Sequence, residues 1–245
     1  NMFQAIRICN TFLDNIDKVP DLDFEMRKRW ISEAKFLKAY YHFYLFRMYG
    51  PIPITDVNLP ISADRDQVAV HRNSVDEVVE YISNLFSEAA IDLPLMIEDE
   101  STELGRVTKG AALAMKARVL VTAASPLFNG NSDFADYTDN DGKHLFCDAT
   151  ERPEKWEAAV KACEAALDSI PGVSLFYFTK NDKLSERTQY KLNYRGAVTE
   201  RWNSELIWGR DFSQCVAFQK VVAPGTYDTR IDTKIWGTAY FSVTL

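Results

Sequence analysis

Apolar residues return at helical spacing through most of residues 1–171. In "RPEKWEAAVKACEAALDSIPG", Trp156, Ala159, Val160, Cys163, Ala166, Leu167 and Ile170 share one face, while Glu157, Lys161, Glu164 and Asp168 share the other. That pattern predicts an amphipathic helix over 154–170, begun near Pro153 and ended by Pro171-Gly172. "SVDEVVEYISNLFSEAAIDLP" reads the same way. Ser74 and Glu77 have the spacing of a capping box, and Val75, Val78, Val79, Ile82, Phe86 and Ala89 form the stripe of a helix over 74–93. Further helices are expected at about 2–18, 23–49 and 108–124.

The helix at 23–49 has little polar surface. Trp30, Ala34, Leu37, Tyr41, Leu45 and Met48 make one apolar face, and Phe36, Tyr40, Phe43 and Phe46 nearly fill a second. Only Ser32, Lys35, Lys38 and His42 remain as a polar ribbon, so this helix is expected to be wedged among neighbours rather than to serve as a ligand platform. His42 reads as a surface or hydrogen-bonded histidine, not a catalyst.

Aligned on their closing prolines, Phe86-x-x-Ala89-x-x-x-x-Pro94 lies over Cys163-x-x-Ala166-x-x-x-x-Pro171, and Phe12-x-x-Asn15-x-x-x-x-Pro20 is a weaker third copy. The preceding helices share Lys-Ala at Lys38-Ala39 and Lys116-Ala117, 78 residues apart, against 77 between Pro94 and Pro171. The spacing of small residue and closing proline resembles the second helix of a tetratricopeptide repeat, where small residues let paired helices approach closely and the proline ends the unit. Such repeats run about 34 residues, so each unit here carries a long insertion, at 50–73 and 125–152. The fold class is therefore predominantly α, with tetratricopeptide-like helix pairs over 1–171 and an irregular, aromatic-rich loop and short-strand region over 172–245 within the same domain. Ala39, Ala89, Ala117 and Ala166 are expected at close helix contacts.

The chain is 245 residues long and 47% hydrophobic, enough for a substantial core. A net charge of -7 without a basic cluster argues against a nucleic-acid partner. Cys9, Cys147, Cys163 and Cys215 are far apart and lack ligand spacing, which points to unpaired thiols rather than a zinc site. No apolar run reaches the ~18 residues of a membrane span.

Chemistry is sparse. "DFADYTDNDGK" (133–143) suggests calcium, but with Gly142 at the sixth loop position an EF-hand would need an acid where Tyr137 stands, so a turn is expected and no metal or cofactor is assigned. No nucleophile or H-E-x-x-H motif occurs, and the acidic residues of the helices fall on solvated faces, so no catalytic residue is assigned. Beyond Pro171 the helical period fades and Phe176, Tyr177, Phe178, Tyr190, Tyr194, Trp202, Trp208, Trp236 and Tyr240 are scattered among polar residues. A sugar ring stacks its C–H face on such side chains and offers its hydroxyls to planar polar groups. "YKLNYRGAVTERWNSE" holds both kinds, which makes Tyr190, Tyr194 and Trp202 candidate stackers and Asn193, Arg195 and Arg201 candidate hydrogen-bonding partners. Trp208 reads as packing against the repeats; for Trp202 packing and ligand contact stay open.

"EAKFLKAYYHFYLFRMYGPIPI", "GRVTKGAALAMKARVLVTAASPLFNGN", "DYTDNDGKHLF", "RPEKWEAAVKACEAAL" and "SELIWGRDF", in this order, resemble the SusD/RagB-like nutrient-binding lipoproteins of the Bacteroidetes outer membrane. The most specific parts are Glu33-Ala34-Lys35-Phe36-Leu37-Lys38-Ala39 with Tyr49-Gly50-Pro51-Ile52-Pro53, and Gly105-Arg106-x-Thr108-Lys109-Gly110-Ala111-Ala112 running into Lys116-Ala117-Arg118. The resemblance implies a lipid-anchored protein on the extracellular face, whose anchor lies outside this stretch of sequence. It implies a non-enzymatic role: holding an oligosaccharide or polysaccharide, with peptide as the alternative cargo, and delivering it to a SusC-like TonB-dependent transporter. A tetratricopeptide scaffold that binds only a protein partner is the other alternative. It also implies that family segments before and after this chain, some of them contributing to the ligand site, are missing from it.

Overall fold

The computed structural model describes residues 1–179 and 183–209. Cys215, Trp236 and Tyr240 lie outside them, as does the greater part of the expected 172–245 region.

Five long helices form the array: α1 (Met2–Leu13), α2 (Phe24–Tyr49), α4 (Val75–Asp92), α6 (Lys109–Ala124) and α7 (Pro153–Ser169). Two short turns of helix, α3 (Arg65–Val68) and α5 (Glu100–Glu103), sit in connections, and α8 (Glu186–Thr199) follows the array. Four of the long helices begin where a side chain satisfies free backbone N–H groups, and α7 begins instead on Pro153. Asp23 caps α2, the Ser74/Glu77 capping box opens α4, and Thr108 caps α6. Only α1 ends earlier than expected: the chain leaves the helix after Leu13 and makes a separate 3-10 turn at Ile16–Lys18.

Each long helix packs on the next, α1 on α2, α2 on α4, α4 on α6 and α6 on α7. Across α2 and α4 the partners run in opposite directions. Lys35 meets Glu88 at 2.6 Å, the Phe36 and Phe86 rings lie 5.3 Å apart, and His42 and Tyr81 5.1 Å. Phe36, Phe46, Phe86, Ile6 and Ile82 fill the core, and Ala39, Ala89, Ala117 and Ala166 are all buried, as close approach of paired helices requires.

The expected apolar faces are corrected at two places. The middle of α2 is enclosed, but Met48 and Tyr49 at its end are exposed. On α7 only Ala159 and Ala166 are buried, while Val160 and Leu167 are exposed, because among the described residues α7 packs on α6 alone.

Ser32, Lys38 and His42 of the polar ribbon of α2 are buried too, and Lys38 and His42 anchor the first insertion. Lys38 Nζ donates to the backbone oxygen of Asp56 at 2.6 Å and to its carboxylate at 2.9 Å, and the Tyr81 hydroxyl donates to the same carboxylate at 2.8 Å. His42 bonds through Nδ1 to Lys38 O at 2.8 Å and accepts at Nε2 from Thr55 N–H at 3.3 Å. Burial, with Lys38 nearby, holds the imidazole neutral and lowers its pKa to about 4. Lys38 and Tyr81 in turn keep the Asp56 carboxyl below the usual carboxylate range.

The Asp133–Lys143 stretch folds as a turn, with Asp139 Oδ1 accepting from the N–H groups of Asp141 and Lys143 at 3.0 and 2.9 Å. Among the described residues no His, Cys, Asp and Glu side chains gather as a metal ion would require, and no helix is long and apolar enough to cross a membrane.

Candidate ligand-binding site

Residues 173–179 and 183–207 form a lobe whose regular element is α8, in sequence read as irregular. Ser185 Oγ accepts from Thr188 N–H to open the helix. Its inner face is polar and small rather than aliphatic. Gln189 Nε2 donates to Phe178 O at 3.0 Å, and Asn193 Oδ1 accepts from Phe178 N–H at 2.9 Å. Gly196 lets the Phe176 ring lie against the helix backbone: a Cβ there would stand 2.3 Å from the ring. The extended segment 174–178 is thereby fastened along α8, and its other side is tied to the turn that follows. Ser174 N–H donates to Ser204 O at 3.0 Å, and Phe176 N–H to Glu205 Oε1 at 2.9 Å. Asn203 closes that turn onto the end of α8 through bonds to Ala197 O and Glu200 O at 3.0 and 2.9 Å.

Between the segment and α8 lies an open cleft of about 380 Å³. Tyr177, Tyr190 and Tyr194 stand around it, 71%, 63% and 83% exposed, with Leu175, Ala197 and Val198 adding apolar surface. Tyr190 and Tyr194 are one helical turn apart and so share a face. The Tyr190 hydroxyl donates to Glu186 Oε1 at 2.9 Å, which fixes that ring and raises the phenol's pKa. Three exposed rings beside hydroxyl and amide edges suit a ligand with apolar faces and polar rims.

Of the residues singled out in sequence, Tyr190, Asn193 and Tyr194 meet here. Arg195 and Arg201 are exposed but do not line the cleft. Nor does Trp202, which is half-buried in the adjoining turn with φ 50°, a conformation costly for a bulky side chain. Trp208 belongs to the core: its indole stands edge-on to Phe36 and Tyr40 at 5.0 and 5.7 Å, and Nε1–H donates to Gly105 O at 3.1 Å. Tyr177 and Glu205 were missed as lining residues. Alternation along Leu175-Phe176-Tyr177-Phe178, with partly buried and exposed side chains in turn, is the signal that marks Tyr177 as outward.

A second groove of about 420 Å³, between α1 and α2, is lined mainly by Ile8, Phe12, Trp30 and Leu37. The guanidinium of Arg106 at its edge is engaged by both carboxylate oxygens of Glu33 at 3.0 and 2.9 Å. This groove lacks the combination of exposed stacking rings and polar edges found at α8.

Residues 1–121 match a SusD-like family model described as starch-binding associating with outer membrane. No curated protein matches the chain. Among solved structures, the protein BT4246 shares 30% identity and a TM-score of 0.72, over 86% of this chain and 40% of that one. A SusD-like protein of Bacteroides fragilis, BF3747, has a TM-score of 0.61 at 21% identity, over 87% of this chain and 33% of its own. Another from that organism, the SusD-like carbohydrate binding protein BF0978, has a TM-score of 0.51 at 22% identity, over 71% and 27%. The two Bacteroides fragilis proteins speak for the fold alone, and the chain spans no more than 40% of the length of any of the three. The family match in residues 1–121 falls on α1, α2, α4 and most of α6, the helices whose motifs carry the resemblance in sequence, and the fold agrees over most of the chain: it belongs to the SusD-like family.

Proposed function

We propose that this chain is the glycan-holding part of a cell-surface capture protein, lipid-anchored on the extracellular face of the outer membrane, which binds oligomeric sugar without cleaving it and passes it to a SusC-like TonB-dependent transporter. The cleft at α8 carries this reading. Tyr177, Tyr190 and Tyr194 leave their rings exposed around one opening while the backbone beneath them is pinned by Gln189, Asn193 and Glu205. A binding surface built on pinned backbone loses little conformational freedom when ligand arrives. Among the described residues a single carboxylate, Glu205, lines the cleft, whereas glycoside hydrolysis commonly uses two, about 5 to 10 Å apart. The family's description as starch-binding in association with the outer membrane supports both the cargo class and the location.

The test is a binding screen of the full-length protein against glycan and peptide panels, paired with an assay for products. Binding of an oligosaccharide without turnover, weakened by Tyr190→Ala, is expected. Cleavage of the bound oligomer would overturn the non-enzymatic role. Binding of peptides alone would move the cargo to the other class. Co-purification with the transporter and no soluble ligand would leave a partner-binding scaffold.

A further inference from the structure

We infer that Glu205 makes the α8 cleft selective for sugar chains without acidic groups, an inference that rests on the glycan-holding reading above. Glu205 is the one charged side chain among the described residues lining the cleft. Its place is fixed from two sides. Its backbone N–H donates to Asn203 Oδ1 at 2.9 Å, and its Oε1 accepts from Phe176 N–H at 2.9 Å. The bond to Phe176 holds the carboxylate at the cleft, where a free surface glutamate would have no such tie.

No lysine or arginine is among the described residues that line the cleft: Arg187, Lys191, Arg195 and Arg201 are exposed on the same lobe and absent from the lining, as is Lys183. A uronate or sulfate stacked among Tyr177, Tyr190 and Tyr194 therefore meets a like charge with no counter-ion from the lining. A neutral sugar meets the opposite situation, because a carboxylate retains acceptor capacity beyond its one backbone bond and takes sugar hydroxyls as donors. Two like charges about 4 Å apart in water disfavour binding by about five-fold, and the penalty fades at high ionic strength.

The experiment titrates the full-length protein and its Glu205→Gln variant with maltohexaose, cellohexaose and mannohexaose, each paired with its own C6-carboxylated derivative, at low and at ~1 M salt. Glutamine keeps the oxygen that accepts from Phe176 N–H, so the cleft retains its shape. For each hexasaccharide bound, the neutral member is expected to bind at least about five-fold more tightly at low salt. The gap should close at high salt and in Glu205→Gln. Equal affinity for both members, with Tyr190→Ala weakening both, leaves the cleft as the binding site and overturns its selectivity. Tighter binding of the acidic member overturns it as well. Binding of none of the six, or binding indifferent to Tyr190→Ala, removes the glycan cleft itself, and the inference falls with it.

Discussion

The helical array and the α8 lobe are held together by different forces. In the array, apolar side chains at helical spacing interlock around Phe36, Phe46 and Phe86, and the buried Lys38 and His42 are hydrogen-bonded within it. The lobe is joined by side-chain amides and carboxylates bonded to backbone, with a glycine where ring and helix touch. Aromatic residues consequently have different fates. The array takes Phe36, Phe43, Phe46 and Phe86 into its core with Trp208 packed against them, whereas the lobe leaves Tyr177, Tyr190 and Tyr194 exposed.

Substitutions can pull the two regions apart. The largest effect belongs to Phe86→Ala, which empties a fully buried site between α2 and α4. A loss of about 3–5 kcal/mol is expected in denaturant unfolding, and a loss below about 1 kcal/mol would mean that the array collapses around the cavity with unusual ease. Acid comes next. His42 is neutral in the fold with a pKa of about 4 against an ordinary 6.5, so its contribution is complete above pH 6.5 and is lost as the pH falls toward 4. That window is worth on the order of 3 kcal/mol. Melting temperature should fall steeply across it in the parent protein and far less steeply in His42→Gln.

Gly196→Val should act on the lobe alone. The added side chain meets the Phe176 ring, displaces residues 174–178 at a local cost of about 1–3 kcal/mol and removes the cleft. Oligosaccharide binding should disappear while the main unfolding transition of the array stays in place; a shifted main transition would show that lobe and array unfold as one. The smallest change in stability is expected for Tyr194→Ala, within about 0.5 kcal/mol because the ring is exposed. Affinity for sugar should nevertheless drop several-fold, and unchanged affinity would remove Tyr194 from the ligand surface.

The same contrast explains what could be read in sequence. The stripe Val75, Val78, Val79, Ile82, Phe86 and the Ser74/Glu77 box announce α4 to within one residue at each end, because burial and capping leave periodic and local marks. α8 leaves no such mark. Its inner face is Gln189, Asn193 and Gly196, so no apolar stripe exists to be counted, and the helix is hidden although Tyr190 and Tyr194 are conspicuous. Composition alone brought Tyr190, Asn193 and Tyr194 together. It could not separate them from Arg195, one position along the same helix and outside the cleft lining, without the helical register. Glu205 depends on the fold of a turn against a distant segment, a relation that no local spacing encodes.

The clamp formed by Lys38, His42, Asp56 and Tyr81 has a consequence for how this connection can be re-engineered. It fastens the first part of the insertion to α2 and α4, and Asn58 extends the hold to α1 through Thr11 Oγ1 at 3.0 Å. Ile61, just past Asn58, is fully exposed. Chain added between Pro60 and Asp64 is thus grafted onto a tethered stem, where doubling the length of the free tip costs about 0.6 kcal/mol in closure entropy. The amide of Thr55, bonded to a buried imidazole, should exchange its hydrogen with solvent at the same slow rate whatever is grafted there.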